Sequence, residues 1–375
     1  VMNLLMLTGD TSLPRGAQGA FYNTLSEFAP YWDKIDVLTP PVRGVTQYDC
    51  FGNVTLYPSP LPKLAQPLFV WRKSRELAAN RSYHLIVSHD YGLFLNGLGA
   101  AWLSRSTGIP YISEIHHVEG YPRAANLRER AQPVLTRLYV RWARNRALGF
   151  RITNESELKP LLTRWGVPAE KIFLLHSLYL DFDVFRPDLT GLQDLSGLKH
   201  DAIFCGRLVP NKAPFLFLEA LVLARQRLGS VRGLVVGQGP LGSKMKARVR
   251  ALGLDVTFID AVKTQNELAQ LYRGSRCLVC TSYSEGGPRV VAEALACGVP
   301  VITTRVGLAG ELVRDGENGF QINWSARELA DRLAQIASDD SLRAQLSANA
   351  PRAVQRFEKS RVIRAYAMAY RGLIK

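Results

Sequence analysis

The chain has 375 residues, 47% of them hydrophobic and 21% charged, with a formal net charge of +15. That length exceeds one ordinary domain and fits two, and the composition excludes a disordered chain. A pI near 9.8 asks for an acidic partner, met by nucleotide phosphates or an anionic membrane surface, with nucleic acid not expected.

Met2 to Leu7 reads as a strand, followed by a loop carrying Gly16 and Gly19 and a helix from Ala20 to Ala29, the usual opening of a doubly wound domain. Strand-like runs at Ile35–Leu38, Leu85–Ser88, Tyr111–Ser113, Phe150–Thr153 and Ile172–Leu175 alternate with helical stretches such as Pro67–Asn80 and Gly92–Ser104. That alternation predicts a parallel sheet covered on both faces. Two strand ends are polar, His89-Asp90 and Glu114-Ile115-His116-His117, and ligands of such sheets bind beyond the carboxyl ends of the strands. The longest apolar region, Leu85 to Leu103, is interrupted by His89 and Asp90. No signal peptide or spanning helix is expected, and the location predicted is cytoplasmic.

From Arg123 to Arg151 there are eight arginines and one acid, Glu129. A helix is predicted over Pro133–Ala147, ended by Gly149. On it Arg137, Arg141 and Arg144 fall on one stripe and Leu135, Leu138 and Trp142 on another. The apolar stripe is expected to pack on the domain's own sheet, leaving the arginines to solvent or to an anionic membrane. Asn154-Glu155-Ser156-Glu157 reads as a helix start. Asp181 and Asp183 form D-x-D in a linker, and residues 186–200 are loop-like and mark the domain boundary.

The second domain opens with the strand Ala202-Ile203-Phe204-Cys205, then Gly206-Arg207-Leu208, Lys212 and a helix. Gly237-Gln238-Gly239-Pro240-Leu241-Gly242 follows a strand in G-x-G-x-x-G form, with Asp260 at the end of the next. This is formally a dinucleotide fingerprint and raises an NAD-dependent oxidoreductase as an alternative. Thr281 to Gly298 reads as a loop and helix between two strands, with Pro288 at the first helical position and Gly298 at the end. Its loop and helix amino terminus form an anion pocket flanked by Glu285 and Glu293. A ligand with phosphate in the middle and hydroxyls at both ends, such as a nucleotide-sugar, suits it. Five cysteines, at 50, 205, 277, 280 and 297, suit reduced, buried thiols. Cys277 and Cys280 point to opposite faces of a strand, so no metal site is expected.

Glu285 and Glu293, with seven residues between them, resemble the paired-glutamate signature of retaining GT-B glycosyltransferases of the group 1, family 4 type. Gly206-Arg207-Leu208 with Lys212, the turn Gly108-Ile109-Pro110 before His116, and Gly166-Val167-Pro168 before Lys171-Ile172 are similar to further motifs of that family. The resemblance implies an α/β GT-B fold of two Rossmann-like doubly wound domains facing across a cleft. Residues 1–185 would form an acceptor domain completed by a crossover helix at about 360–375, and 186–359 a nucleotide-sugar domain. It implies that Arg207 and Lys212 meet the donor diphosphate and that Glu285 and His116, with His117 the close alternative, serve the donor sugar as catalytic groups. Glu293 would hold the ribose, and Gly16, Gly19, Gly206, Gly286, Gly287 and Arg289 would lie along the donor.

The activity implied is metal-independent, retaining hexosyl transfer without a cofactor, from a nucleotide-diphosphate sugar to a sugar, lipid-linked or small-molecule acceptor. Cell-envelope or polysaccharide biosynthesis and a peripheral seat on the inner face of the cytoplasmic membrane would suit such an enzyme. A nucleotide-sugar epimerase shares the fold and is a second alternative.

Overall fold

The computed structural model describes residues 1–187 and 199–374. The described residues divide into two compact units. The first holds Val1–Glu119, Ala131–Ser177 and Ser360–Lys375, and the second Gly120–Arg130 and Leu178–Lys359. The division thus falls at 177/178 rather than 185/186, and the short segment 120–130 belongs to the second unit. Of the boundary loop expected at 186–200, residues 188–198 lie outside the described residues.

The first unit is built on eight strands: β1 (Asn3–Leu7), β2 (Lys34–Thr39), β3 (Tyr48–Cys50), β4 (Val54–Pro58), β5 (Leu85–His89), β6 (Tyr111–Ile115), β7 (Gly149–Ile152) and β8 (Ile172–Leu174). Their order is β3-β4-β2-β1-β5-β6-β7-β8. Only β3 runs antiparallel, in a hairpin with β4. Every residue of β1 and β6 is buried, as expected of parallel strands covered on both faces. Because β2 and β5 flank β1, the strand order reverses at β1/β5, where open α/β sheets bind ligands. The helix Lys359–Gly372 returns to this unit and buries Val362, Ile363, Tyr366, Ala367 and Tyr370.

The second unit carries β9 (Ala202–Cys205), β10 (Arg232–Val236), β11 (Asp255–Ile259), β12 (Leu278–Cys280), β13 (Val301–Thr304) and β14 (Gly319–Ile322). All are parallel, in the order β11-β10-β9-β12-β13-β14, so the reversal lies at β9/β12. The helix Pro214–Leu228 buries Phe217, Leu218, Leu221 and Ala224 against this sheet, and Ala326–Ser338 buries Leu329, Leu333 and Ile336.

Three expectations about helices are corrected. The Arg-rich helix spans Leu127–Ala143 and contains Pro133 rather than starting at it. Its buried face is Gln132, Thr136, Tyr139, Val140 and Ala143, whereas Val134 and Leu138 are each 60% exposed and Leu135 is 38% exposed. The stripe of Leu135 and Leu138 therefore does not pack on the sheet. Bulky Tyr139 takes the inward place because its hydroxyl finds Asp90 there. Arg144 also leaves the open basic stripe, since its guanidinium donates to the Gly166 carbonyl at 3.1 Å. The helix expected from Asn154 begins at Leu158, with the Asn154 side chain accepting from Leu158 N at 2.9 Å. Pro288 is the residue before the first helical position of Arg289–Ala296, not that position itself.

Asp90, at the carboxyl end of β5, is buried and accepts hydrogen bonds from Ser88, Ser113 and Tyr139. Burial pushes its carboxyl up to about 7, against the pull of those three hydroxyls. A carboxyl raised in the folded state contributes stability that is full below its ordinary value near 4 and is lost as pH rises through about 7. Asp90→Asn is expected to flatten the dependence of Tm on pH between those limits. From pH 4 to pH 8 the Tm of the variant should fall by ~5 °C less than that of the parent. Parallel melting curves for the two proteins across that range would contradict the assignment.

Candidate functional site

The site of the second unit assembles at the carboxyl ends of β9 and β12. Leaving β9, Gly206 adopts φ +150°, a backbone that favours glycine. Arg207 follows and is exposed, with no ion pair to any described residue. A short 3-10 turn, Pro210–Lys212, then leads into the helix Pro214–Leu228. Lys212 is ion-paired with Glu285, and both side chains are mostly buried, at 20% and 14% exposure. Asn211 fastens the two loops together: its amide donates to the Ser284 carbonyl at 3.0 Å, and its side-chain oxygen accepts from Ser284 N at 3.2 Å. Thr281 Oγ1 donates to the Lys212 carbonyl at 2.9 Å.

Behind this loop Gly307 sits against the backbone of Glu285 and Gly286, where a Cβ would overlap both carbonyls. The Leu308 amide donates to the Gly286 carbonyl at 2.9 Å. Glu293, one turn into the helix Arg289–Ala296, is 5% exposed. Its carboxylate accepts from Arg289 Nε at 2.9 Å and from the Tyr272 hydroxyl at 3.1 Å. Burial raises the Glu293 carboxyl, with Arg289 and Tyr272 opposing. Arg289 also lies over the Tyr179 ring at 5.1 Å. The segment 120–130 reaches the same loop: the Arg123 guanidinium lies over the Tyr283 ring at 4.8 Å and the Trp324 ring at 5.3 Å.

Gly206, Arg207, Lys212, Glu285, Gly286, Gly287, Arg289 and Glu293 are thus carried by two adjacent strand-to-helix loops of one unit. The G-x-G-x-x-G turn is not part of that set. A Cβ on Gly237 would overlap the Gly206 carbonyl, and one on Gly239 the backbone of Leu208. These glycines make room for the neighbouring loop. Asp260 pairs with Lys246 at 2.9 Å, and β10 lies one strand away from the β9/β12 reversal. The oxidoreductase alternative loses its structural basis.

In the first unit Gly16 ends a 3-10 turn at φ +80°, and Gly19 caps the helix Ala20–Phe28. His116 follows β6 and is half-buried. Its Nε2 lies 2.9 Å from the buried carboxylate of Glu114. Arg151 Nη1 donates to the same carboxylate oxygen at 2.7 Å. Asn211, Tyr272, Gly307, Glu114 and Arg151 had no assigned part in the sequence reading. Glu114 alone left a signal there: it precedes His116 by two residues, so strand periodicity puts both on one face. Among the described residues no cluster of three or more His, Cys, Asp or Glu side chains could hold a metal ion. All five cysteines are free thiols.

Two parallel sheets of this order, each with its strand reversal, define the GT-B class. Sucrose-phosphate synthase from Thermosynechococcus elongatus superimposes with TM-score 0.79 at 19% identity, covering 100% of this chain and 99% of that one. HepE of Anabaena, in complex with UDP-glucose, gives TM-score 0.75 at 22% identity over 99% and 100% of the two chains. The family described as glycosyl transferases group 1 matches residues 195–353, and the glycosyl transferase 4-like domain matches residues 31–177. The chain belongs to the group 1 glycosyltransferases. A D-inositol 3-phosphate glycosyltransferase of Mycobacteroides abscessus is 31% identical over 268 residues, 68% of this chain and 58% of that protein. The chain thus spans less than two thirds of that relative's length.

Proposed function

We propose that the chain moves a sugar from a nucleotide-diphosphate sugar to an acceptor with retention of configuration. The observation that carries this reading is the Lys212–Glu285 pair beside exposed Arg207 at the β9/β12 reversal. In the transfer, the bond between the anomeric carbon and the diphosphate oxygen breaks. The acceptor oxygen bonds to that carbon on the same face, and its proton passes to the departing diphosphate. Charge grows on the diphosphate, and Arg207 and Lys212 stabilise it there as fixed cations without a metal. Lys212 has three N–H donors, of which Glu285 engages one, leaving two for phosphate oxygens. Gly206, Gly286 and Gly287 let the backbone come close to the donor, and Gly16 and Gly19 do so from the loop after β1. Glu285 and His116 are assigned to sugar hydroxyls and Glu293, with Arg289 beside it, to the ribose.

One likeness supports a nucleotide-sugar donor, the HepE structure in complex with UDP-glucose, and the mycobacterial relative, a D-inositol 3-phosphate glycosyltransferase, supports glycosyl transfer. UDP-, GDP- and ADP-sugars screened for thermal stabilisation should identify the base. NMR of the product should then show the donor's anomeric configuration kept. An inverted product, or no stabilisation by any nucleotide-sugar, would sink the reading.

A membrane-bound or lipid-linked acceptor is favoured by the outward face of the helix Leu127–Ala143. No helix among the described residues is long and apolar enough to cross a membrane. Val134, Leu135 and Leu138 are exposed beside exposed Arg137 and Arg141. Leu93, itself 57% exposed, faces Leu135 across an apolar hollow of about 220 Å³ lined also by Phe94, Leu98, Tyr139 and Trp142. Exposed leucines flanked by arginines suit the interface of an anionic bilayer, where each cation contributes about 1 kcal/mol. The seat proposed is the inner face of the cytoplasmic membrane, in envelope or polysaccharide synthesis. The protein is expected to sediment with phosphatidylglycerol vesicles and not with phosphatidylcholine ones. Arg137→Ser with Arg141→Ser, or Leu135→Ser with Leu138→Ser, should abolish sedimentation while leaving donor binding unchanged. Failure to sediment at low salt would remove the membrane from the proposal.

A further inference from the structure

Glu114 is the most heavily engaged carboxylate of the first unit. It is 1% exposed. One oxygen, Oε1, accepts from the hydroxyls of Tyr366, at 2.6 Å, and Tyr370, both on the helix Lys359–Gly372. The other, Oε2, meets Arg151 Nη1 at 2.7 Å, His116 Nε2 at 2.9 Å and His89 Nε2 at 3.2 Å. Burial alone would push Glu114 up, but the guanidinium of Arg151 and the hydrogen bond from His116 hold it well below the usual carboxylate range. It is therefore an anion and can only accept. Arg151 is its counterion, fully buried, with Nη2 lacking a hydrogen-bond partner among the described residues and the guanidinium lying over the Tyr366 ring at 4.3 Å.

His116 Nε2 has two neighbours that make opposite demands. Arg151 Nη1, 3.1 Å away, can only donate, whereas Glu114 Oε2 can only accept. If Nε2 were the bare nitrogen, its lone pair would face a carboxylate oxygen at 2.9 Å. With the proton on Nε2, His116 and Arg151 both donate to Glu114, and no two lone pairs meet. His89 follows the same logic: its Nε2 faces Glu114 and its Nδ1 lies 3.1 Å from Thr8 Oγ1, which can donate to it. Burial drives His89 down to about 4, so it stays neutral and adds no charge beside Arg151. The backbone of His116 is fixed as well, its carbonyl accepting from Thr153 Oγ1 at 2.6 Å.

We propose that Glu114 is the positioning residue of His116: by accepting a hydrogen bond from the Nε2–H group it fixes the ring and leaves the Nδ1 lone pair free to accept from a hydroxyl of the donor sugar. The part given to the sugar rests on the functional reading of His116 above, whereas the tautomer does not. Tyr366 and Tyr370, donating to the far oxygen, keep the carboxylate turned toward the imidazole.

Nitrogen-15 NMR of histidine-labelled protein, with the His116 signals assigned through His116→Asn, reads the tautomer directly. The parent is expected to show a protonated Nε2 and a bare Nδ1 at pH 8. In Glu114→Ala the acceptor is gone and Arg151 is left to donate to Nε2, so the proton is expected to move to Nδ1. Tyr366→Phe, which leaves the carboxylate in place, should keep the parent tautomer. Transfer measured with the donor found by screening should fall about a hundredfold in Glu114→Ala at little change in donor KM, and Glu114→Ala with His116→Ala should be no worse than either alone. A protonated Nδ1 in the parent overturns the proposal even if Glu114→Ala does not fold, as does an unchanged tautomer in Glu114→Ala. Full transfer activity in His116→Ala, with the tautomer as expected, would instead overturn the role given to His116.

Discussion

Lys212→Ala is expected to lower turnover at saturating donor about a hundredfold, and Arg207→Ala by a similar factor, each corresponding to roughly 3 kcal/mol of lost transition-state stabilisation. The two arrive at this size by different routes. Arg207 is exposed with no ion pair among the described residues, so its removal takes away a cation and little else. Lys212 also neutralises Glu285 in a mostly buried pair. Lys212→Ala therefore leaves a carboxylate facing a diphosphate, so donor binding should weaken as well as turnover. Steady-state kinetics, with circular dichroism to confirm the fold, decide the matter. Near-normal turnover in both variants would end the diphosphate-clamp reading.

Glu293→Gln is expected to weaken binding of the free nucleoside diphosphate about tenfold or more, whereas Glu285→Gln should leave that binding within about twofold and impair use of the sugar. The surroundings of the two carboxylates support the contrast. Glu293 is buried on the helix, held between Arg289 and Tyr272, and a neutral amide there loses its charge-assisted bond to Arg289. Glu285 sits in the loop against Lys212, so its loss releases a cation that still serves the diphosphate. Calorimetric titration with the diphosphate separates the two, and equal weakening in both variants would refute the division of labour.

How far the fold was legible depends on how each element is buried. β1 and β6 are buried at every residue, so their apolar runs announced them. The β3/β4 hairpin did not show: at the sheet edge Tyr48 and Cys50 are only partly buried and Asp49 is exposed, and Thr55 is a buried polar residue in β4. The Arg-rich helix misled for the opposite reason. Periodicity gave two stripes, but the inward face includes Gln132 and Thr136 while Val134, Leu135 and Leu138 look out, so the rule that apolar residues face inward chose the wrong side. In the candidate site, Glu285 and Glu293 were visible because they share one segment. Asn211, 73 residues from Ser284, and Tyr272, 21 residues from Glu293, belong to partnerships that only the folded chain creates.

The bonds from Tyr366 and Tyr370 to Glu114 join residues 252 and 256 positions apart, with the whole second unit lying between them in the chain. A ribosome making this protein releases Glu114 and Arg151 long before the helix Lys359–Gly372 exists. Until that helix arrives, the nascent first unit has two tyrosyl hydroxyls fewer around its buried carboxylate and no aromatic face over Arg151. Closing so long a loop is slow, whereas the second unit has all of its own strands in hand before the helix emerges. The order of completion is therefore the reverse of the order of synthesis: the half that begins the chain is the half that finishes last.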